Sequence, residues 1–292
     1  MHGVGRAAGA ITIVNALPTG VGCALGISLF AEAEVDLRPL SSGEEEQLRV
    51  SPGPSTPLVK AAVRGALRRY APEGRGAVDL SLRCEIPPAR GLKSSSAVAS
   101  AIVLAIARAQ RFEPTALEVA QLSAEVSRTA GVSATGAFDD ALAGLASGFV
   151  VTDNALGMLL RAGPSDPDWI VALFVPPEGH APSPEWGARF KAEAREGRAA
   201  AEAALRGDWW KAMALNTCLV ERTMHYSYGR VRELLLRGGA LGAGVSGLGP
   251  ALAAVGPRDR TDPMLRALPT NGGERRTTLP LLEDLALRGR VA

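Results

Sequence analysis

One segment restricts the folds open to this 292-residue chain more than any other: Pro87–Ala97, PPARGLKSSSA. Ahead of it, Ala77–Glu85 alternates Val78, Leu80 and Leu82 with Asp79, Ser81 and Arg83, the period of a strand with one buried face. Pro87 and Pro88 end that strand, because proline cannot donate to a ladder. After it, Ala97–Gln110 carries one charge, Arg108, and predicts an apolar helix. The first N–H groups of a helix lack internal partners and the helix dipole favours negative charge there, so this strand-to-helix joint is an anion site by geometry. Gly91 admits close approach of a phosphate. Ser94, Ser95 and Ser96 offer hydroxyls to phosphate oxygens or Mg²⁺, and Lys93 adds a positive charge. A plain N-cap would need one serine, not three and a lysine.

Two common nucleotide patterns do not fit. A Walker A loop needs a second glycine directly before the lysine, and Gly91-Leu92-Lys93-Ser94 lacks it. Gly242–Gly247 satisfies GxGxxG, but a helical stretch, Val231–Arg237, precedes it and 45 residues follow Gly247, too few for a Rossmann domain.

Around the joint, the residues predict an α+β chain. Ala7–Ala31 has no charge, yet Asn15, Pro18, Gly20, Gly22 and Gly26 break it into two buried strands rather than a span or a cleaved leader. Ala33–Leu37 is expected as a third strand and residues 39–56 as a surface connection. Thr56-Pro57 opens a helix to about Tyr70. Thr115–Thr129 is a helix with Thr115 and Glu118 spaced as a capping box, and Gly131–Asp140 is a polar turn. Strands are expected at Gly148–Thr152, Met158–Arg161 and Trp169–Val175. Helices follow at Pro184–Leu205, Asp208–Met224 and Tyr228–Leu236, then a glycine-rich run. A boundary after Thr152 gives two halves, residues 1–155 and 156–292.

Composition narrows the partners. Thirty-two Lys and Arg against 30 Asp and Glu leave a net charge of +2, with no basic stripe for a nucleic acid. No segment predicts a membrane partner, and nothing specifies an oligomeric state. Cys23, Cys84 and Cys218 are widely spaced, as are His2, His180 and His225, which argues against zinc and for a reducing, cytoplasmic setting.

Residues 87–97 resemble the second motif of the GHMP kinases, usually written PxxxGLGSSAA. Ala8–Ala16 with Gly20 and Gly22 resembles that family's N-terminal strand and turn, Thr135–Asp140 (TGAFDD) its aspartate-bearing segment, and Ser246–Pro250 (SGLGP) its C-terminal glycine-rich motif. The four occur in order over almost the whole chain. Within the family, GLKSSSA, TIVNA and TGAFDD resemble the archaeal-type shikimate kinase branch. SGLGP alone suits homoserine kinases nearly as well.

The resemblance implies a ribosomal-S5-like N-terminal domain, a ferredoxin-like C-terminal domain, and MgATP-dependent phosphorylation of the 3-hydroxyl of shikimate. It implies that residues Pro88, Ala89, Arg90, Gly91, Leu92, Lys93, Ser94, Ser95, Ser96 and Ala97 hold the ATP phosphates. Ser95 (or Ser94) would lie near Mg²⁺, with Glu125 as the metal carboxylate. Asp139, with Asp140 as the alternative, would orient or deprotonate the acceptor hydroxyl; a helix-capping aspartate is the ordinary alternative. Mevalonate-type relatives carry a lysine after the first-motif glycine, whereas Ala10 follows Gly9 here, so Lys93 is the stand-in cation. Arg6 and Arg128 are candidates for the acceptor carboxylate, which suits an Arg fork. Asn15 either ties the Pro18 turn or meets the acceptor; Asp140, Ser246 and Gly247 are further candidate contacts. Trp209, Trp210, Tyr226 and Tyr228 are expected to pack the C-terminal helices. The competing readings are a GHMP kinase for homoserine, mevalonate or pantoate, a nucleotide-binding protein without catalysis, and a secreted non-enzymatic α+β domain.

Overall fold

The computed structural model describes residues 1–39, 47–71, 76–179 and 183–286. The chain opens with β1 (His2–Val14) and β2 (Val21–Pro39), followed by β3 (Gln47–Val50), α1 (Pro57–Tyr70) and β4 (Gly76–Cys84). Helices α2 (Ser94–Ala109), α3 (Ala116–Thr129) and α4 (Phe138–Ala143) come next, then β5 (Phe149–Asp153) and β6 (Met158–Gly163). β2 is the axis of a six-stranded sheet. One of its edges pairs with β1; the other pairs with β4 along Ala31–Pro39 and with β5 along Val21–Leu25. β6 extends the sheet beyond β5, so it reaches Gly163.

The second sheet is built from β7 (Trp169–Val175), β8 (Gly242–Val245), β9 (Leu252–Pro257) and β10 (Glu274–Thr278). Its helices are α5 (Pro184–Ala192), α6 (Ala194–Arg206), α7 (Trp209–Met224), α8 (Gly229–Arg237) and α9 (Thr261–Ala267). The strand order β10-β7-β9-β8 with antiparallel pairing is the ferredoxin-like arrangement. After β10 the chain returns to the first sheet, where Leu281 N donates to Gly26 O and Leu285 N to Leu145 O.

Small residues let α2 lie directly on the first sheet. A Cβ added at Gly5 would sit 2.0 Å from Ala101 O, so only glycine admits this approach. The helix is accordingly rich in Ala and buried along most of its length, and its buried Ser100 hydroxyl lies 3.0 Å from that of Ser123 of α3. Gly242 and Gly244 do the same for α7 on β8, against Trp210 and Thr217. That packing accounts for the first two glycines of the GxGxxG spacing, while Gly247 lies in the following loop against Lys93 and Gly91; β8 leads into that loop and β9, not into a helix.

The α1 cap and the α3 capping box form as the sequence predicts. Several expectations are corrected. Ala33–Leu37 is the end of β2, since no turn residue separates it from Leu29. Within 39–56, Gln47–Val50 is a strand parallel to β4, while residues 40–46 lie outside the described residues. The Pro184–Leu205 helix breaks at Glu193 into α5 and α6. The 131–140 turn already contains the start of α4. Trp209 and Trp210 join the two sheets rather than packing helices alone: the Phe149 ring of β5 stacks on Trp209 at 4.5 Å and meets Trp169 and Trp210 edge-on.

Candidate active site

The loop after β4 is set by three left-handed residues, Ala89, Gly91 and Lys93. Its carbonyls are bound from inside the protein: Arg90 O accepts from Ala251 N at 3.1 Å, Gly91 O from Ser246 Oγ at 2.7 Å, and Leu92 O from Ala10 N at 3.3 Å. Gly91 has no alternative residue here, because a Cβ would sit 2.0 Å from Ser246 O. α2 then starts without a side-chain cap, and its first intrahelical bond runs from Ala97 N to Lys93 O. The amides of Ser94, Ser95 and Ser96 therefore face the helix entrance as partial positive charges. Ser95 is exposed, Ser94 is partly exposed and Ser96 is buried. Leu92 and Ala97 belong to the core.

Lys93 takes φ 70° and ψ 28° at the helix entry, a conformation costing an L-residue about 1–2 kcal/mol. That backbone explains why the family pattern places glycine here. The Lys93 ammonium lies 3.1 Å from Asp140 Oδ1, with both side chains only 12% exposed. It also lies 3.0 Å from where a Cβ on Gly247 would be. One lysine thus touches the aspartate segment and the glycine-rich loop.

Asp139 and Asp140 occupy the first turn of α4, and the N-cap is Ala137, so neither aspartate is the capping residue. Asp139 is buried; its Oδ1 accepts from Asn154 Nδ2 at 2.7 Å, and its amide donates to Asn154 Oδ1 at 3.2 Å. Thr152 Oγ1 donates to the same Asn154 Oδ1 at 2.7 Å. Asp139 Oδ2 lies over Gly22, 2.3 Å from a Cβ placed there. Burial and the Asp139 charge push the Asp140 carboxyl up to about 7, against the pull of Lys93. Burial first, then Asp139, pushes the Cys23 thiol well up.

The glycine-rich loop is stitched to the first strand. Thr12 N donates to Ser246 Oγ at 3.1 Å, Gly247 N to Thr12 Oγ1 at 2.9 Å, and Asn15 Nδ2 to Gly247 O at 3.4 Å. The Ser246 hydroxyl is used up in holding Gly91. Asn15 ties the turn, accepting from Leu17 N at 2.9 Å, while its own amide donates to Asn216 Oδ1 at 2.8 Å. Tyr226 and Tyr228 anchor the far side of the loop through Leu248 O and Pro250 O, at 2.8 and 3.0 Å.

The remaining expected residues have other partners or face solvent. Arg90 spends its guanidinium on the carbonyls of Pro88, Pro176 and Pro177. Arg6 pairs with Glu32 at 3.3 Å and lies over the Phe30 ring. Arg128 donates to Thr135 O at 3.2 Å and covers Gly136. Glu125 is exposed on α3; among the described residues no three His, Cys, Asp or Glu form a metal cluster. Asn154 and Thr152 lie in no sequence motif, and Thr12 lies in the TIVNA segment without being singled out there. Their only signal was polarity inside apolar strands or at a strand end.

The phosphate-type loop, the aspartate turn and the glycine-rich loop thus converge in a two-sheet α+β fold of the GHMP kinase kind. Residues 57–148 match the family GHMP kinases N terminal domain. A shikimate kinase of Pyrococcus furiosus is 37% identical over 257 residues, 87% of this chain and 92% of that one. A shikimate kinase of Methanothrix thermoacetophila is 38% identical over 273 residues, 94% and 92% of the two chains. The fold is shared with the mevalonate kinase of Methanococcus jannaschii (TM-score 0.73, 15% identity, 96% and 99% covered) and a homoserine kinase of Cytophaga hutchinsonii (TM-score 0.68, 16% identity, 95% of each). This chain belongs to the GHMP kinases, and its chemistry is phosphoryl transfer to a small molecule. Among the described residues no helix is long and apolar enough to cross a membrane.

Proposed function

We propose that this kinase transfers the γ-phosphoryl group of MgATP to the 3-hydroxyl of shikimate, giving ADP and shikimate 3-phosphate. The observation that carries the reading is Lys93, a lysine in the left-handed position where the family pattern has glycine, paired with Asp140. The shikimate kinases that align with 87% and 94% of the chain support the same acceptor.

The uncapped amides of α2 and the inward-turned carbonyls before it fit an anionic phosphate chain. Hard oxygen donors fit Mg²⁺, which needs only one or two carboxylates and keeps waters; Ser95 (or Ser94) and Glu125 would hold it. Bound Mg²⁺ neutralises charge on the phosphate oxygens. The protein's own task is then positioning and electrostatics. Within residues 88–97 the unbonded backbone amides at the helix entrance, those of Ser94, Ser95 and Ser96, seat the phosphates, and Lys93 supplies the fixed cation. Asp139, its Oδ1 held by Asn154, orients the acceptor hydroxyl and takes its proton. Arg128 is the arginine proposed for the acceptor carboxylate, since it lies beside the aspartate segment with only a neutral carbonyl as partner, whereas Arg6 is paired with Glu32 and stacked on Phe30. Asp140 and the Asn15–Ser246–Gly247 stitch shape the acceptor side. ATP supply and three free cysteines fit a cytoplasmic enzyme.

Coupled ADP release with MgATP tests the assignment against shikimate, homoserine, mevalonate and pantoate. Turnover with shikimate alone is expected. Turnover with another acceptor instead would transfer the assignment to it, and ATP binding with no turnover on any of the four would favour a non-catalytic nucleotide binder.

A further inference from the structure

The first strand of this chain supplies no free cation to the site. Its one arginine, Arg6, is paired with Glu32 and stacked on Phe30, and the motif glycine Gly9 is followed by Ala10. We propose that Asp140 is a positioning residue for Lys93: the buried pair holds the ammonium between the helix entrance and the glycine-rich loop, in place of a first-strand lysine. The inference rests on the kinase reading of this site.

Three observations carry it. First, the backbone at 93 is left-handed, where glycine is free of strain and lysine is not. Strain of this kind persists only when the surroundings over-determine it, and it collects at functional sites. Second, the side chain is not left to solvent. Its ammonium meets Asp140 Oδ1 at 3.1 Å, and a Cβ on Gly247 would lie only 3.0 Å from it. Third, Asp140 is itself held in place. It shares the first turn of α4 with Asp139, whose carboxylate and amide both bond Asn154, and Asp140 O accepts from Gly144 N.

The pair also has an electrostatic role. Two adjacent carboxylates at the entrance of an anion site would oppose phosphate binding. With Lys93 against Asp140, the local charge is no more negative than that of Asp139 alone. Removing Asp140 leaves the Lys93 ammonium as an unpaired charge in a mostly buried place.

A double-mutant cycle on Lys93→Gly and Asp140→Asn in the full-length enzyme tests this. MgATP affinity is measured by calorimetry without acceptor, and kcat and KM with whichever acceptor is turned over. Lys93→Gly relieves the backbone strain but takes the partner from Asp140, two effects of opposite sign on the melting temperature, while ATP affinity falls about tenfold or more. Asp140→Asn should cost about tenfold when introduced into the parent and almost nothing when added to the Lys93→Gly variant, because its effect passes through the lysine. Additive losses, or unchanged ATP affinity in Lys93→Gly, would overturn the proposal. Coupling in ATP binding with no turnover of shikimate would uphold the pair and remove only the acceptor assignment.

Discussion

Asn154 grips Asp139 from two sides, donating Nδ2–H to its carboxylate at 2.7 Å and accepting its backbone N–H at 3.2 Å. Thr152 completes the clamp by donating to the same Asn154 oxygen. The carboxylate proposed to meet the acceptor hydroxyl is thereby fixed by the end of β5. Asn154→Ala should lower kcat about tenfold or more with little change in KM for ATP, since phosphate seating is untouched. It should also destabilise the fold by about 1–3 kcal/mol, because buried groups lose their partners. Asp139→Asn should retain ATP binding and lose turnover. Calorimetry and coupled ADP release check both variants, and parent-like turnover in Asp139→Asn would remove Asp139 from the mechanism.

Gly22 is the floor under the same carboxylate. A methyl group there would lie 2.3 Å from Asp139 Oδ2, so Gly22→Ala must displace the carboxylate or the strand. Overpacking of this kind costs about 1–3 kcal/mol, and here it also moves the proposed base. The expected outcome is a folded protein of lower melting temperature with turnover reduced more than ATP affinity. A variant that loses stability yet keeps its kcat would show that the carboxylate position is not limiting.

Arg90 lies inside the phosphate-type loop, but its guanidinium is committed to three proline carbonyls at the loop and the exit of β7. Arg90→Ala should therefore act on stability, by about 1–3 kcal/mol for the carbonyls left without a donor, and weaken ATP binding less than Lys93→Gly does. Thermal unfolding alongside nucleotide titration separates the two effects. A larger loss of ATP affinity in Arg90→Ala would mean that the side chain leaves those carbonyls to meet phosphate.

Local patterns made much of this architecture readable in advance. The alternation of 77–85, the Thr56 cap and the Thr115/Glu118 box each act within a few residues and are found where the spacing puts them. The helix entrance at Ser94 was legible for the same reason, as strand, turn and uncapped helix are contiguous. Long-range pairing was not legible. Nothing local shows that Asn154 meets Asp139, that Thr12 holds Gly247, or that Lys93 reaches Asp140 in a separate segment, since these bonds exist only once both sheets are assembled. Arg90 and Ser246 have residue types that suit a ligand, and the bonds by which the fold joins loops through them are not visible in the local sequence.

The Asp140 carboxyl gives the stability of the enzyme a signature in pH. Its value is raised from 3.8 to about 7 in the folded protein, burial being the first cause and Asp139 the second, with Lys93 opposing both. Between these two values the folded state keeps a proton that the unfolded chain has released. Stability contributed by this group therefore falls as pH rises from about 4 to about 7, and levels off above that. Asn cannot titrate, so Asp140→Asn should lose this component. Relative to the parent, the variant should fare worst near pH 4 and gain steadily up to about pH 7. Urea unfolding of both proteins across that window reads the difference, in which the other carboxylates largely cancel. A difference that stays flat across the window would mean that Lys93 holds Asp140 charged throughout, and one that moves the opposite way would place the folded carboxyl below its ordinary range.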